Sequence, residues 1–114
     1  MSVFLDSELT SDERNEDARF HVIPVPLERT VSYGSGTANG PAAIIEASNE
    51  LERTTNGHEP CAAGIFTQAP LDCTGDLPVV MERLAARTER VVAEGRIPVT
   101  LGGEHSLSFG AVMG

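Results

Sequence analysis

The spacing of apolar and polar positions divides this chain into alternating segments of strand and helix period. Residues 20–27, Phe-His-Val-Ile-Pro-Val-Pro-Leu, carry enough apolar bulk to predict a first strand, and their prolines end its ladder pairing near the carboxyl end. From Pro41 the spacing becomes helical, with Ile44, Ala47, Ser48 and Leu51 on one narrow stripe. Pro41 suits a first turn that needs no amide donor, and Asn39 or Gly40 can cap it, so a helix is predicted to about residue 52. Residues 62–67 predict a second, shorter strand.

Pro78 opens the most strongly periodic segment, with Val80, Met81, Leu84, Thr88, Val91 and Val92 on one side. Arg83, Arg87 and Arg90 fall on the other, expected to be a solvated face, and Gly95 is the stop. Ile97-Pro98-Val99-Thr100-Leu101 then runs into Gly102-Gly103, as a buried strand running into a turn does, with Pro98 tolerable near the strand's start. The order strand, helix, strand, helix, strand implies right-handed crossovers and a parallel α/β sheet with helices outside it.

Ahead of these elements, residues 1–19 form an acidic leader with Asp6, Glu8, Asp12, Glu13, Glu16 and Asp17 and few large apolar groups, expected to be mobile or loosely held on the surface. Residues 20–114 hold all the predicted strands and helices. The chain stops at Gly114, where a helix after the glycine turn would barely have begun, and the expectation is a truncated fold.

Charge narrows the partners. Asp and Glu number 17 against 8 Lys and Arg, for a formal net charge of −9, which speaks against nucleic acid and anionic membranes and fits a cationic ligand in sign. Cys61 and Cys73 form no Cys-x-x-Cys pair and are expected as free thiols. With no long apolar run and an acidic rather than basic amino terminus, the chain shows neither a membrane span nor a signal peptide, so a cytoplasmic location is expected.

The candidate chemistry gathers where the third strand ends. In open α/β sheets ligands bind beyond the carboxyl ends of the strands, which is where His105 follows the Gly-Gly turn. On spacing alone that imidazole admits three readings: metal ligand, acid/base group, or a cap on the next helix. A phosphate cradle is discounted, because neither Gly-x-Gly-x-x-Gly nor Gly-Lys-Ser/Thr occurs. The polar, glycine-rich loop 28–40 leaves the carboxyl end of the first strand and should lie on the same rim.

Two motifs in order carry a resemblance: Tyr33-Gly34-Ser35-Gly36-Thr37-Ala38-Asn39-Gly40-Pro41-Ala42-Ala43-Ile44, and Gly102-Gly103-Glu104-His105-Ser106. Together they resemble the ureohydrolase (arginase/agmatinase) family, most closely its agmatinase branch, from about His21 onward. The frequent Arg-Pro-Gly of that family is replaced here by Gly34-Ser35-Gly36. The resemblance implies that residues 20–114 are the amino-terminal part of a ureohydrolase catalytic domain. It implies part of a three-layer α/β/α arginase-like fold, cut after the first metal motif, and a manganese-dependent hydrolase of agmatine to putrescine and urea.

It also implies two manganese ions in the full-length family, a small cationic guanidine substrate, and a homo-oligomer. His105 would be a metal ligand, the others coming from Asp-x-His-x-Asp and Asp-x-Asp motifs that these 114 residues do not contain. Glu104 is expected to act around the ligand rather than on the metal, and Ser106 and Ser108 to enter a helix. Asp72, Asp76 and Glu104 lack the spacing for a metal cage, so the chain alone is expected to be inactive. Alternatives are arginase, guanidinobutyrase or formiminoglutamase, or a non-catalytic remnant acting as an interaction fragment.

Overall fold

A computed structural model describes residues 2–28, 36–103 and 110–112. Strands β1 (Phe20–Val25), β2 (Ile65–Thr67) and β3 (Ile97–Gly102) form a parallel sheet in the order β2-β1-β3. Helices α1 (Gly40–Ala47) and α2 (Leu77–Ala93) make the two crossovers. The chain therefore moves outward from β1 to β2, then crosses back over β1 to β3, which makes the gap between β1 and β3 a topological switch point.

Pairing runs from Phe20 opposite Ile97 to Val25 opposite Gly102, so the carboxyl ends of β1 and β3 are level. One face of β1 presents Ile23 and Val25, which pack with Leu27, Leu71, Val80, Met81, Leu84 and Val91 under α2. Each large apolar side chain so buried contributes about 1.5–3 kcal/mol. The other face, with Phe20 and Val22, carries the leader and α1.

Two prolines inside strands need an account. Phe20 N–H donates to Gly64 O, and Val22 O accepts Gln68 N–H, so the even-numbered groups of β1 point toward β2. Pro24 is the next of these, and β2 has already ended at Thr67, so no ladder bond is lost there. Ile97 N–H donates to Arg19 O, which turns the position of Pro98 away from β1. Its missing donor is harmless because of direction as well as proximity to the strand's start.

The helix stripes differ in detail from the sequence expectation. On α1 the buried residues are Pro41 and Ile45, while Ile44 is 42% exposed. The α-helix ends at Ala47 and tightens into a 3-10 turn over Ser48–Glu50, which swings Leu51 out to 53% exposure. On α2 Val80, Met81, Leu84, Thr88 and Val91 are buried as expected, but Val92 is exposed. Gly95, at φ 75°, closes α2 with its N–H on Val92 O and that of Arg96 on Val91 O, the double bond of a left-handed helix stop.

On the arginine face of α2, Arg90 is exposed as expected, but Arg83 and Arg87 are engaged. Arg83 donates to the carbonyls of Asp72 and Thr74, and Arg87 to that of Ala69, tying down the connection between β2 and α2. The second strand is shorter than expected: Pro60–Ala63 forms a 3-10 turn and Gly64, at φ 93°, redirects the chain. A Cβ at Gly64 would lie 2.8 Å from that of Ala18, so glycine is required there for close approach as well.

The leader packs more closely than its composition suggests. Leu5 and Leu9 are buried with Cys61 against Phe4 and Ile65. Phe4 N–H donates to Thr67 Oγ1 at 2.9 Å and Leu5 N–H to Ser48 Oγ at 2.7 Å. Arg53 grips both oxygens of Glu13 at 2.6 Å.

Candidate active-site crevice

The carboxyl end of β3 is fitted against that of β1 through its second glycine. A Cβ at Gly103 would lie 2.5 Å from Val25 O and 2.7 Å and 2.8 Å from the Leu27 O and N atoms, so no other residue allows this contact without displacing backbone. A second close approach comes from α1, where a Cβ at Gly40 would lie 3.1 Å from Gly102 O. The start of α1, the end of β1 and the end of β3 thus converge on the switch point, where a doubly wound sheet opens a ligand crevice.

Glu28, just past β1, closes the arrangement. Its Oε1 accepts the amide N–H of Gly36 at 2.7 Å and of Ala38 at 3.1 Å. Gly36 has φ 103° and leads into the 3-10 turn Thr37–Asn39, so the expectation that the loop shares a rim with the β3 turn holds for residues 36–40. Residues 33–35 of the first motif lie outside the described residues.

His105, with Glu104, Ser106 and Ser108, also lies outside the described residues. The residues on each side of 104–109 are well anchored: Gly103 by β1, and Gly110 by α2, where an added Cβ would be 3.0 Å from Met81 O and Sδ. Ala111 packs against the α2 core. Among the described residues no group of three or more His, Cys, Asp or Glu is arranged to hold a metal ion.

The other candidate groups have local tasks. Asp72 Oδ1 accepts the hydroxyl of Thr74 at 2.6 Å and its N–H at 3.0 Å; these bonds, with Arg83 beside it, hold its carboxyl below the usual range. Asp76 starts α2 without a side-chain capping bond. His21 is buried, with Nε2–H donating to Glu16 O at 3.0 Å and the Gln68 amide donating to Nδ1 at 3.1 Å, so both ring nitrogens are used structurally. Cys61 and Cys73 form no disulfide, as expected, and the Cys73 thiol donates to Leu71 O. No helix among the described residues is long and apolar enough to cross a membrane.

Glu28 was not singled out from the sequence. A carboxylate immediately before a glycine-rich loop is the available signal, because a charged acceptor there can take the orphan amides of a following turn.

Fold and crevice define a doubly wound α/β protein with a candidate crevice at the switch point between β1 and β3, and the comparisons narrow that class. The profile of the Arginase family matches residues 18–114, and the chain belongs to that family. It is 35% identical to N(1)-aminopropylagmatine ureohydrolase of Synechocystis sp. over 96% of this chain and 38% of that protein. To the enzyme of the same name from Thermococcus kodakarensis it is 34% identical, over 85% of this chain and 35% of that one. The crystal structure of agmatine ureohydrolase of Thermoplasma volcanium superposes with a TM-score of 0.81 at 30% identity, covering 95% of this chain and 40% of that one. The chain thus spans somewhat over a third of the length of these relatives.

Proposed function

We propose that residues 20–114 are the amino-terminal part of a ureohydrolase catalytic domain that hydrolyses the guanidine group of agmatine or a close derivative, releasing urea. The observation that carries this reading is the family match over 18–114, which includes the Gly102-Gly103 turn fitted between β1 and α1 at the switch point. The resemblance assigns His105 as a metal ligand and manganese as the metal. Two divalent ions, when bound, would activate water against the poorly electrophilic guanidinium carbon. The described residues supply no donor set for such ions, so His105 would need ligands from beyond them.

Agmatine is favoured by the motif resemblance and by the name of the Thermoplasma volcanium structure, and N(1)-aminopropylagmatine by the two relatives of that name. Both substrates carry a guanidinium at one end and a cationic amine further along, which suits an acidic protein. A homo-oligomer in a cytoplasmic setting completes the proposal.

The test is urea release with manganese from agmatine, N(1)-aminopropylagmatine, arginine and guanidinobutyrate. The 114-residue chain is compared with a full-length enzyme carrying this segment. The chain alone is expected to give no turnover, and His105→Ala to cost the full-length enzyme most of its activity. Turnover by the isolated chain would contradict the incomplete site, and an unimpaired His105→Ala enzyme would remove His105 from the metal.

A further inference from the structure

We infer that Glu28 is a positioning residue for substrate binding, holding residues 36–40 against the end of β3; the inference rests on the ureohydrolase reading above. The 3-10 turn Thr37–Asn39 and the start of α1 have no side-chain cap of their own, and the Asn39 side chain makes no capping bond. A single oxygen of Glu28 accepts the amides of both Gly36 and Ala38, in place of the water or side-chain cap that orphan amides at a turn otherwise take. Among the described residues no arginine forms an ion pair with Glu28, so its partners there are these two amides.

The geometry gives the bond a consequence beyond local capping. Glu28 follows β1 by three residues, and the turn it holds ends at Gly40, where an added Cβ would lie 3.1 Å from Gly102 O, a tight approach of the α1 start to the end of β3. Gly103, the next residue, is itself seated on Val25 and Leu27. One carboxylate therefore fixes the separation of the two walls of the crevice, the α1 start and the β3 turn. A carboxylate accepting backbone N–H bonds is a stronger acceptor than a neutral group, which suits a residue that must define distance. Side chains that set such a separation act on how substrate is seated.

Glu28→Ala and Glu28→Gln distinguish this role from general stability, since the Gln oxygen can still accept both amides. Hydrogen exchange at Gly36 and Ala38, read by NMR on the 114-residue chain, should quicken at least about tenfold in Glu28→Ala and little in Glu28→Gln. Exchange in α2 is the control for folding. In the full-length enzyme Glu28→Ala should raise KM for agmatine about tenfold while kcat falls less than about threefold, with Glu28→Gln restoring most of the loss. Unchanged exchange in Glu28→Ala, or faster exchange with unchanged KM, would overturn the inference. The exchange measurement needs no turnover, so a wild-type enzyme releasing no urea overturns the ureohydrolase reading and leaves the exchange result to decide whether Glu28 is the clasp.

Discussion

Glu13 shows how one side chain can be tuned by its partners. Hydrogen bonds from Arg53 first, and from the Thr10 amide next, pull its carboxyl from an ordinary 4.5 down to about 2. Because the folded value lies below the unfolded one, the stabilisation is complete above pH 4.5 and is lost as pH falls through about 2. Thermal melts followed by circular dichroism from pH 7 downward should show a drop in Tm across that window. Glu13→Gln should have a lower Tm at pH 7 and a flatter profile. A variant whose profile overlays the wild type would show that another group governs the acid limb. The sequence places Glu13 in an acidic leader and Arg53 in a polar turn, 40 residues later, and no local pattern joins them.

At the scale of elements, the leader behaves as a strap. Leu5 and Leu9 sit over Cys61, while Phe4 and Leu5 tie their amides to Thr67 and Ser48. Leu5→Ala should leave a cavity costing about 2–5 kcal/mol if the strap is cooperative with the body, and less if it can lift away alone. Thiol labelling separates the two. In Leu5→Ala the buried Cys61 should react at least about tenfold faster with a thiol reagent. Cys73, already half-buried, serves as the internal reference and should hold its rate. Equal Cys61 rates in variant and wild type would mean that the leader does not protect it. Composition pointed to a loose segment because carboxylates dominate it, yet two leucines and a handful of backbone donors are enough to seat it.

For the whole molecule, apolar surface is distributed unevenly. Ile97 and Val99 on β3 are 38% and 37% exposed, and Val99 lines a groove of about 290 Å³ whose walls include Phe20, Val22, Leu51, Ile65 and Leu101. Among the described residues β3 pairs only with β1, so its other edge carries unpaired backbone groups. No charged side chain interrupts Ile97 to Gly102 to discourage pairing with another chain. Sedimentation velocity of the isolated chain should therefore show association rising with concentration, and Val99→Lys should reduce it without altering the far-ultraviolet spectrum. A chain that stays monomeric at high concentration and melts cooperatively would instead mark these 114 residues as an independent domain.

Local chemistry wrote the element order: the helical stripe of α2, the Gly95 stop, the apolar run into Gly102-Gly103 and the parallel alternation could all be read from residues within a few positions of each other. The resemblance in Tyr33 to Ile44 together with Gly102 to Ser106 pointed to the family for the same reason, since each motif is a local pattern. Tertiary structure decided what depends on contacts across long stretches of chain. It chose Ile45 over Ile44 for the α1 interior, seated the leader on Thr67 and Ser48, and closed Glu28 onto Gly36 and Ala38. It also required glycine at 103, because the backbone of Val25 and Leu27 occupies the space a Cβ would need. Spacing along a sequence specifies periodicity and turns, whereas the direction in which a periodic face points is fixed only when another element fills the space opposite.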